Sequence, residues 1–141
     1  ALIIDPYNKI DANIGGQNET NFINKFLTKL TIFKQKYDIH IFLVAHPRKM
    51  NKLENKTYEV PTLYDVAGSA NFYNQVDNGI TVYRDFNAGL TKVYVQKVKF
   101  RHIGEIGNAQ FKYNLQNGRY SEVGEALDYG SYLKDSQESM L

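Results

Sequence analysis

An acid and a histidine each close a short apolar run in this chain: Asp5 follows Leu2-Ile3-Ile4, and His46 follows Ile39 to Ala45 (IHIFLVA). If both runs are parallel strands, Asp5 and His46 emerge at one sheet edge, the carboxyl edge where open α/β sheets bind ligands. An acid there can hold a metal ion through water, and a histidine on the next strand can sense what the metal binds. Plainer duties also fit, with Asp5 starting a turn at Pro6 and His46 bonding backbone. Directly after His46 come Arg48, Lys49, Lys52 and Lys56 against only Glu54 and Glu59, in a stretch bracketed by Pro47 and Pro61. Such a loop can follow an anionic backbone without reading bases, or simply be a solvated surface loop. A third group is Gln96-Lys97-Val98-Lys99-Phe100-Arg101, where Lys97, Lys99 and Arg101 share one face if a strand runs through them. Three cations in a row want an anion opposite, or else guard an edge strand against aggregation. Asp65, Gly68, Ser69, Asn74 and Asp77 form a looser polar group, with Asp65 suited to cap a helix and Asp77 to pair with a cation. Asp5, His46 and Asp65 together would also suit a small metal-dependent hydrolase.

The elements that must position these residues follow from periodicity. Continuous rather than alternating apolar runs at Leu2–Ile4 and Ile39–Ala45 predict strands buried on both faces of a parallel sheet. Between them lies a polar loop with Gly15-Gly16. Thr20 or Asn21 then caps a helix carrying Phe22, Ile23, Phe26, Leu27, Leu30, Phe33 and Tyr37 at intervals of three and four. Strand, helix and strand make a βαβ unit with parallel strands. Residues 47–61 lack periodicity and read as a long loop. A short helix over Leu63–Tyr73 turns near Gly68. Strands at Gly79–Tyr83 and Val93–Phe100 are joined by a hairpin at Asn87-Ala88-Gly89, and a last strand at Ala109–Tyr113 turns at Gln116-Asn117-Gly118. From Ser121 the apolar residues thin out into a tail expected to be loosely held.

Composition bounds the answer. The 141 residues, 43% of them apolar, suffice for one domain or a piece of one. Seventeen Lys plus Arg against fifteen Asp plus Glu leave a net charge of +2, so any basic site is local. Without cysteine there is no disulfide framework, thiol nucleophile or Cys-ligated zinc. His40, His46 and His102 show no metal-site spacing. No apolar run reaches the ~18 residues that span a bilayer, so no membrane partner is expected. No G-x-x-x-x-G-K-[ST] motif occurs, so the chain carries no phosphate-cradling loop. Ala1 opens directly into an apolar run with no Met before it, so the chain reads as if cut from something longer.

These pieces, in order, resemble the C-terminal half of the RecA-like motor domain of ring-forming replicative helicases, the DnaB-like and Twinkle-like group that includes phage primase-helicases. ALIIDP resembles the Walker B strand, and NKFLTKLTIFKQKYDIHIFLVAH the next helix and the sensor strand with its histidine. LYDVAGSANFYNQVDNGITVYRD resembles the following motif, and VQKVKFRHIGEIG with FKYN resembles the terminal K-x-R segment and closing strand. The resemblance covers residues 1–120, with 121–141 as a tail. It implies a partial P-loop NTPase α/β core, βαβ then an antiparallel hairpin, lacking the Walker A strand. That absence should leave a gap between the strand ending at His46 and the strand at Gly79–Tyr83.

The resemblance also implies roles. Asp5 would be the Walker B acid holding Mg²⁺ through water, and His46 the γ-phosphate sensor. Arg48, Lys49 and Lys52 would grip single-stranded DNA. Lys97 and Lys99 would reach a neighbouring subunit's nucleotide in a hexameric ring. Lys99 stands where the family has its arginine finger, so Arg101 can take that part, and Asn74, beside Gln75, stands where the family has a glutamine sensor. ATP or another NTP with Mg²⁺ would serve the intact helicase, with neither held tightly by this fragment, which alone is expected to be inactive. A primase domain or protein is left open as a further partner. The expected setting is the cytoplasm of a bacterium or phage-infected cell. The alternative is a RecA-like paralogue that binds DNA or protein without hydrolysis.

Overall fold

A computed structural model of the chain describes residues 1–10, 19–54, 57–66 and 69–124. Gly15-Gly16, Lys56, Gly68 and residues 125–141 of the expected tail lie outside the described residues. The expected βαβ unit is present: β1 (Leu2–Ile4) and β2 (Ile41–Leu43) pair in parallel, Ile3 opposite Phe42, with α1 (Glu19–Tyr37) between them in sequence. Thr20 and Asn21 lie inside α1 rather than capping it, because the helix has already begun at Glu19. It ends at Tyr37, and Asp38 after it has a φ of 47°, a left-handed conformation that Asp tolerates better than most residues.

Its inward face builds the core. Ile23 and Leu27, one turn apart, are buried with Tyr7 and Phe72, and Phe22, Phe26, Leu43 and Val66 pack around them. Tyr7 meets Phe72 edge-on with centroids 5.2 Å apart, and tilts against Phe26 at 5.6 Å. Phe33 and Tyr37 continue the stripe in spacing but not in burial, and both are exposed. The two parallel strands also depart from expectation. Their side chains alternate, with Leu2, Ile4, Ile41 and Leu43 half-buried and Ile3 and Phe42 exposed. One helix can cover only one face of a sheet, so the apolar run is buried on one side only.

The second half is a four-stranded antiparallel meander: β3 (Asn78–Asp85), β4 (Leu90–Val98), β5 (Gly107–Asn114) and β6 (Arg119–Glu122), neighbours in that order. Turns fall at 86–89 and 115–118, with Gly89 (φ 65°) and Gly118 (φ 69°) supplying the left-handed positions. The strand after Gly118 carries few apolar residues, yet Ser121 and Glu122 pair with Lys112 and Phe111, so strand pairing extends into the stretch read as tail. Between the halves, the expected helix over Leu63–Tyr73 is instead a 3-10 turn, Leu63–Asp65, and a short helix α2 (Ser69–Gln75). Gly79 allows that turn to lie on β3, because a Cβ there would overlap the Leu63 side chain.

The two sheets do not pair: β2 and β3 have no common ladder. A cavity of about 500 Å³ lies between them, lined by Ile41 and Leu43 of β2, Asn78 of β3, Leu30 and Lys34 of α1, and Phe100. The resemblance expects a break between the strand ending at His46 and the strand at Gly79–Tyr83, and no described strand joins β2 to β3. Among the described residues no helix is long and apolar enough to cross a membrane.

Candidate functional site

Parallel pairing fixes the edge residues. Ile4 lies opposite Leu43, and the Val44 N–H donates to the Ile4 carbonyl at 2.9 Å, so Asp5 and the segment leading to His46 leave the sheet together. The Tyr7 N–H then donates to the Val44 carbonyl, tying the chain after Asp5 to the chain before His46. Asp5 and His46 are both exposed at this edge. Among the described residues no three His, Asp or Glu side chains gather as a metal cage. A lone exposed carboxylate suits Mg²⁺, which keeps several waters and commonly rests on one or two carboxylates plus substrate phosphates. The hydrolase built on Asp5, His46 and Asp65 gains no support, because Asp65 is committed elsewhere.

That commitment shapes the basic segment. Asp65 is nearly buried, 8% exposed. Its Oδ2 accepts from the Thr62 N–H and hydroxyl, both at 2.8 Å, and its Oδ1 accepts from the Arg48 guanidinium at 2.8 Å. The Thr62 bonds, with Arg48 behind them, hold the Asp65 carboxyl below the ordinary carboxylate range in spite of burial. The Arg48 N–H also donates to the Asp65 carbonyl at 2.7 Å, and Pro47 bridges Val66. Beyond Arg48, the stretch read as a long loop folds back on itself. Lys52 bridges Tyr58, the Glu59 N–H donates to Asn51, and the Leu53 N–H donates to Thr57. The Tyr83 hydroxyl, donating to the Tyr58 carbonyl at 2.9 Å, fastens this small hairpin to β3. Lys49 and Lys52 remain exposed on it.

Asp65→Ala is therefore expected to cost about 1–2 kcal/mol, since it removes a capping box and leaves Arg48 without its acid. The sign of the pH dependence follows from the lowered carboxyl. A folded-state value below the unfolded one means stability that is complete above about pH 4 and lost as pH falls through the folded value. Urea titrations of wild type and variant should thus differ at neutral pH and converge in acid. A constant difference would contradict the assignment.

The third cationic group is placed differently from expectation. β4 ends at Val98, so Lys97, Lys99 and Arg101 do not share a strand face; Lys99 sits in a bend and Arg101 begins a 3-10 turn, Arg101–Ile103. Lys97 donates to the carbonyl of Tyr73 and lies over that ring, 4.8 Å from its centroid. Lys99 reaches Asp77 Oδ1 at 2.8 Å, while Lys34 of α1 pairs with Oδ2. Two ammonium groups, Lys34 first, hold the Asp77 carboxyl below its ordinary range. Arg101 is exposed. Gln75 donates to Asn24 of α1 at 2.9 Å, leaving Asn74 exposed beside it.

The structure therefore brings Asp5 and His46 to one edge with the basic segment following in sequence, holds Lys97 at Tyr73 and Lys99 at Asp77, and leaves Arg101 exposed beyond the end of β4. Sequence reading gave no role to Gln96, which accepts the Leu63 N–H and donates to the Pro61 carbonyl, so that β4 clasps the turn holding Asp65. It also missed the stacking of Tyr64 on Tyr73. No spacing rule marks either, because both join segments distant in sequence.

No family profile matches the chain. It is similar to the Twinkle homolog protein, chloroplastic/mitochondrial, of Arabidopsis thaliana, 40% identical over an alignment of 127 residues that covers 86% of this chain and 18% of that protein. The chain thus spans less than a fifth of the length of this relative, and the match supports a Twinkle-like relationship along most of its own length.

Proposed function

From that similarity we propose that this chain is the C-terminal part of the motor domain of a replicative DNA helicase, one that couples Mg²⁺-NTP hydrolysis to travel along single-stranded DNA as a hexameric ring. The observation that carries the reading is the joint exit of Asp5 and His46 at the carboxyl edge, with the basic hairpin following directly. Asp5 would hold Mg²⁺ through water against the nucleotide phosphates, and Mg²⁺ when bound supplies charge neutralisation there. His46 would sense the γ-phosphate and pass its state along the segment that leads through Arg48 to the hairpin. Other parts of the polypeptide would supply the phosphate-cradling loop and the strand that fills the gap between β2 and β3. Arg101 is the better finger for a neighbouring subunit, since Lys99 is held by Asp77 and Lys97 by Tyr73. Its planar fork also suits phosphate better than an ammonium does.

Fluorescence anisotropy with a labelled oligothymidine strand tests the DNA-facing part. Lys49→Ala with Lys52→Ala is expected to weaken binding on the order of tenfold and to flatten the slope of log affinity against log salt by about 0.7 per lysine. Unchanged affinity and slope would remove the hairpin from the DNA path. A non-hydrolysing DNA-binding paralogue would behave alike in this assay, and NTP hydrolysis by the full-length protein separates the two.

A further inference from the structure

Tyr64 lies at the foot of the basic hairpin, on a turn fixed from three sides. Thr62 caps the turn, Gln96 grips its backbone at Pro61 and Leu63, and Arg48 binds Asp65, the residue after Tyr64, through both backbone and side chain. A tyrosine on so constrained a backbone has little conformational entropy left to lose on binding. Its ring stacks on Tyr73, with centroids 4.6 Å apart and planes 21° from parallel. The Lys97 ammonium lies over the Tyr73 ring, 4.8 Å from its centroid. Tyr64 is nonetheless 55% exposed, so this ordered stack ends in a ring that faces water.

An open aromatic ring on a turn that Arg48 ties to the segment carrying the exposed Lys49 and Lys52 is a combination that single-strand binding uses. The ring offers a face to any base, and the cations follow the phosphates. A purely apolar partner would leave Lys49 and Lys52 without an anion. We propose that Tyr64, stacked on Tyr73, is a platform for a nucleobase of the single strand whose phosphates lie on Lys49 and Lys52. This rests on the reading of the hairpin given above and adds to it a contact with bases.

The test exploits the absence of tryptophan from the chain. In Tyr64→Trp the single indole reports on the platform directly. An oligothymidine strand is expected to quench it, and an abasic strand of equal length is not. In anisotropy, Tyr64→Ala should lower oligothymidine affinity on the order of tenfold, to the level of the abasic strand, whereas Tyr64→Phe retains it. Circular dichroism of Tyr64→Ala should match wild type, because the ring is exposed. Equal wild-type affinity for the two strands, or an unaffected Tyr64→Ala, overturns the platform. The hairpin reading survives that outcome if the double lysine variant still weakens both strands. Quenching by Mg²⁺-ATP alone would assign the ring to a nucleotide's base and overturn the strand assignment. Failure of either strand to bind overturns both readings.

Discussion

Asp5→Asn, introduced into the full-length helicase to which the proposed function assigns this segment, is expected to lower strand-stimulated NTP hydrolysis on the order of a hundredfold or more. The expectation follows from where Asp5 stands. It is exposed at the end of β1, and no second carboxylate among the described residues gathers with it and a third ligand to share a metal. Asparagine keeps the shape and one carbonyl oxygen but removes the charge, so metal affinity falls while the fold is untouched. Raising Mg²⁺ should recover part of the lost rate, which a merely structural Asp5 would not allow. His46→Ala makes a complementary prediction: nucleotide binding persists, but hydrolysis no longer rises on addition of single strand. Hydrolysis that is unchanged in both variants would remove Asp5 and His46 from the chemistry.

The βαβ unit was legible because it rests on local signals: an apolar run, a helix at 3.6-residue spacing, and a second run. The hairpin turn at 86–89 was legible for the same reason. Burial was not. The run at Leu2–Ile4 reads as covered on both faces, yet Ile3 and Phe42 face outward, because burial depends on what packs from elsewhere. On the proposed reading, the rest of the motor domain covers that face. The row Lys97, Lys99 and Arg101 failed in a different way. Its common face required a strand through position 101, and β4 ends at Val98, after which the Lys99 N–H turns to the Asp77 carbonyl. Likewise, Arg48 reads as a phosphate ligand from its neighbours in sequence, while its partner Asp65 is seventeen positions away and shares no pattern with it. Long-range polar pairs carry no periodicity, and these pairs decide which cations remain available to a ligand.

The core makes the other large prediction. Ile23 is fully buried, while the described residues contain only three further buried apolar side chains, Tyr7, Leu27 and Phe72. Ile23→Ala is expected to cost about 2–5 kcal/mol, from lost transfer energy and from the cavity left among aromatic rings that cannot collapse into it. Total stability of a small domain is only about 5–15 kcal/mol, so the variant should lose much of its margin and melt roughly 10 °C or more below wild type. Ile32→Ala is the control. Ile32 lies on the same helix, is 58% exposed, and should change stability by no more than about 0.5 kcal/mol. The contrast also bears on function. α1 carries Ile23 against Tyr7 and Phe72, and Tyr7 in turn bonds Val44 between Asp5 and His46. A cavity at Ile23 should therefore loosen the carboxyl edge before it disturbs the β3–β6 meander, which shares none of these core residues. Hydrogen exchange can check this: faster exchange at the Val44 and Tyr7 amides, with β4 and β5 unchanged, is the expected pattern. Uniform acceleration through both sheets would mean that the chain unfolds as one unit and that the edge owes nothing special to this packing.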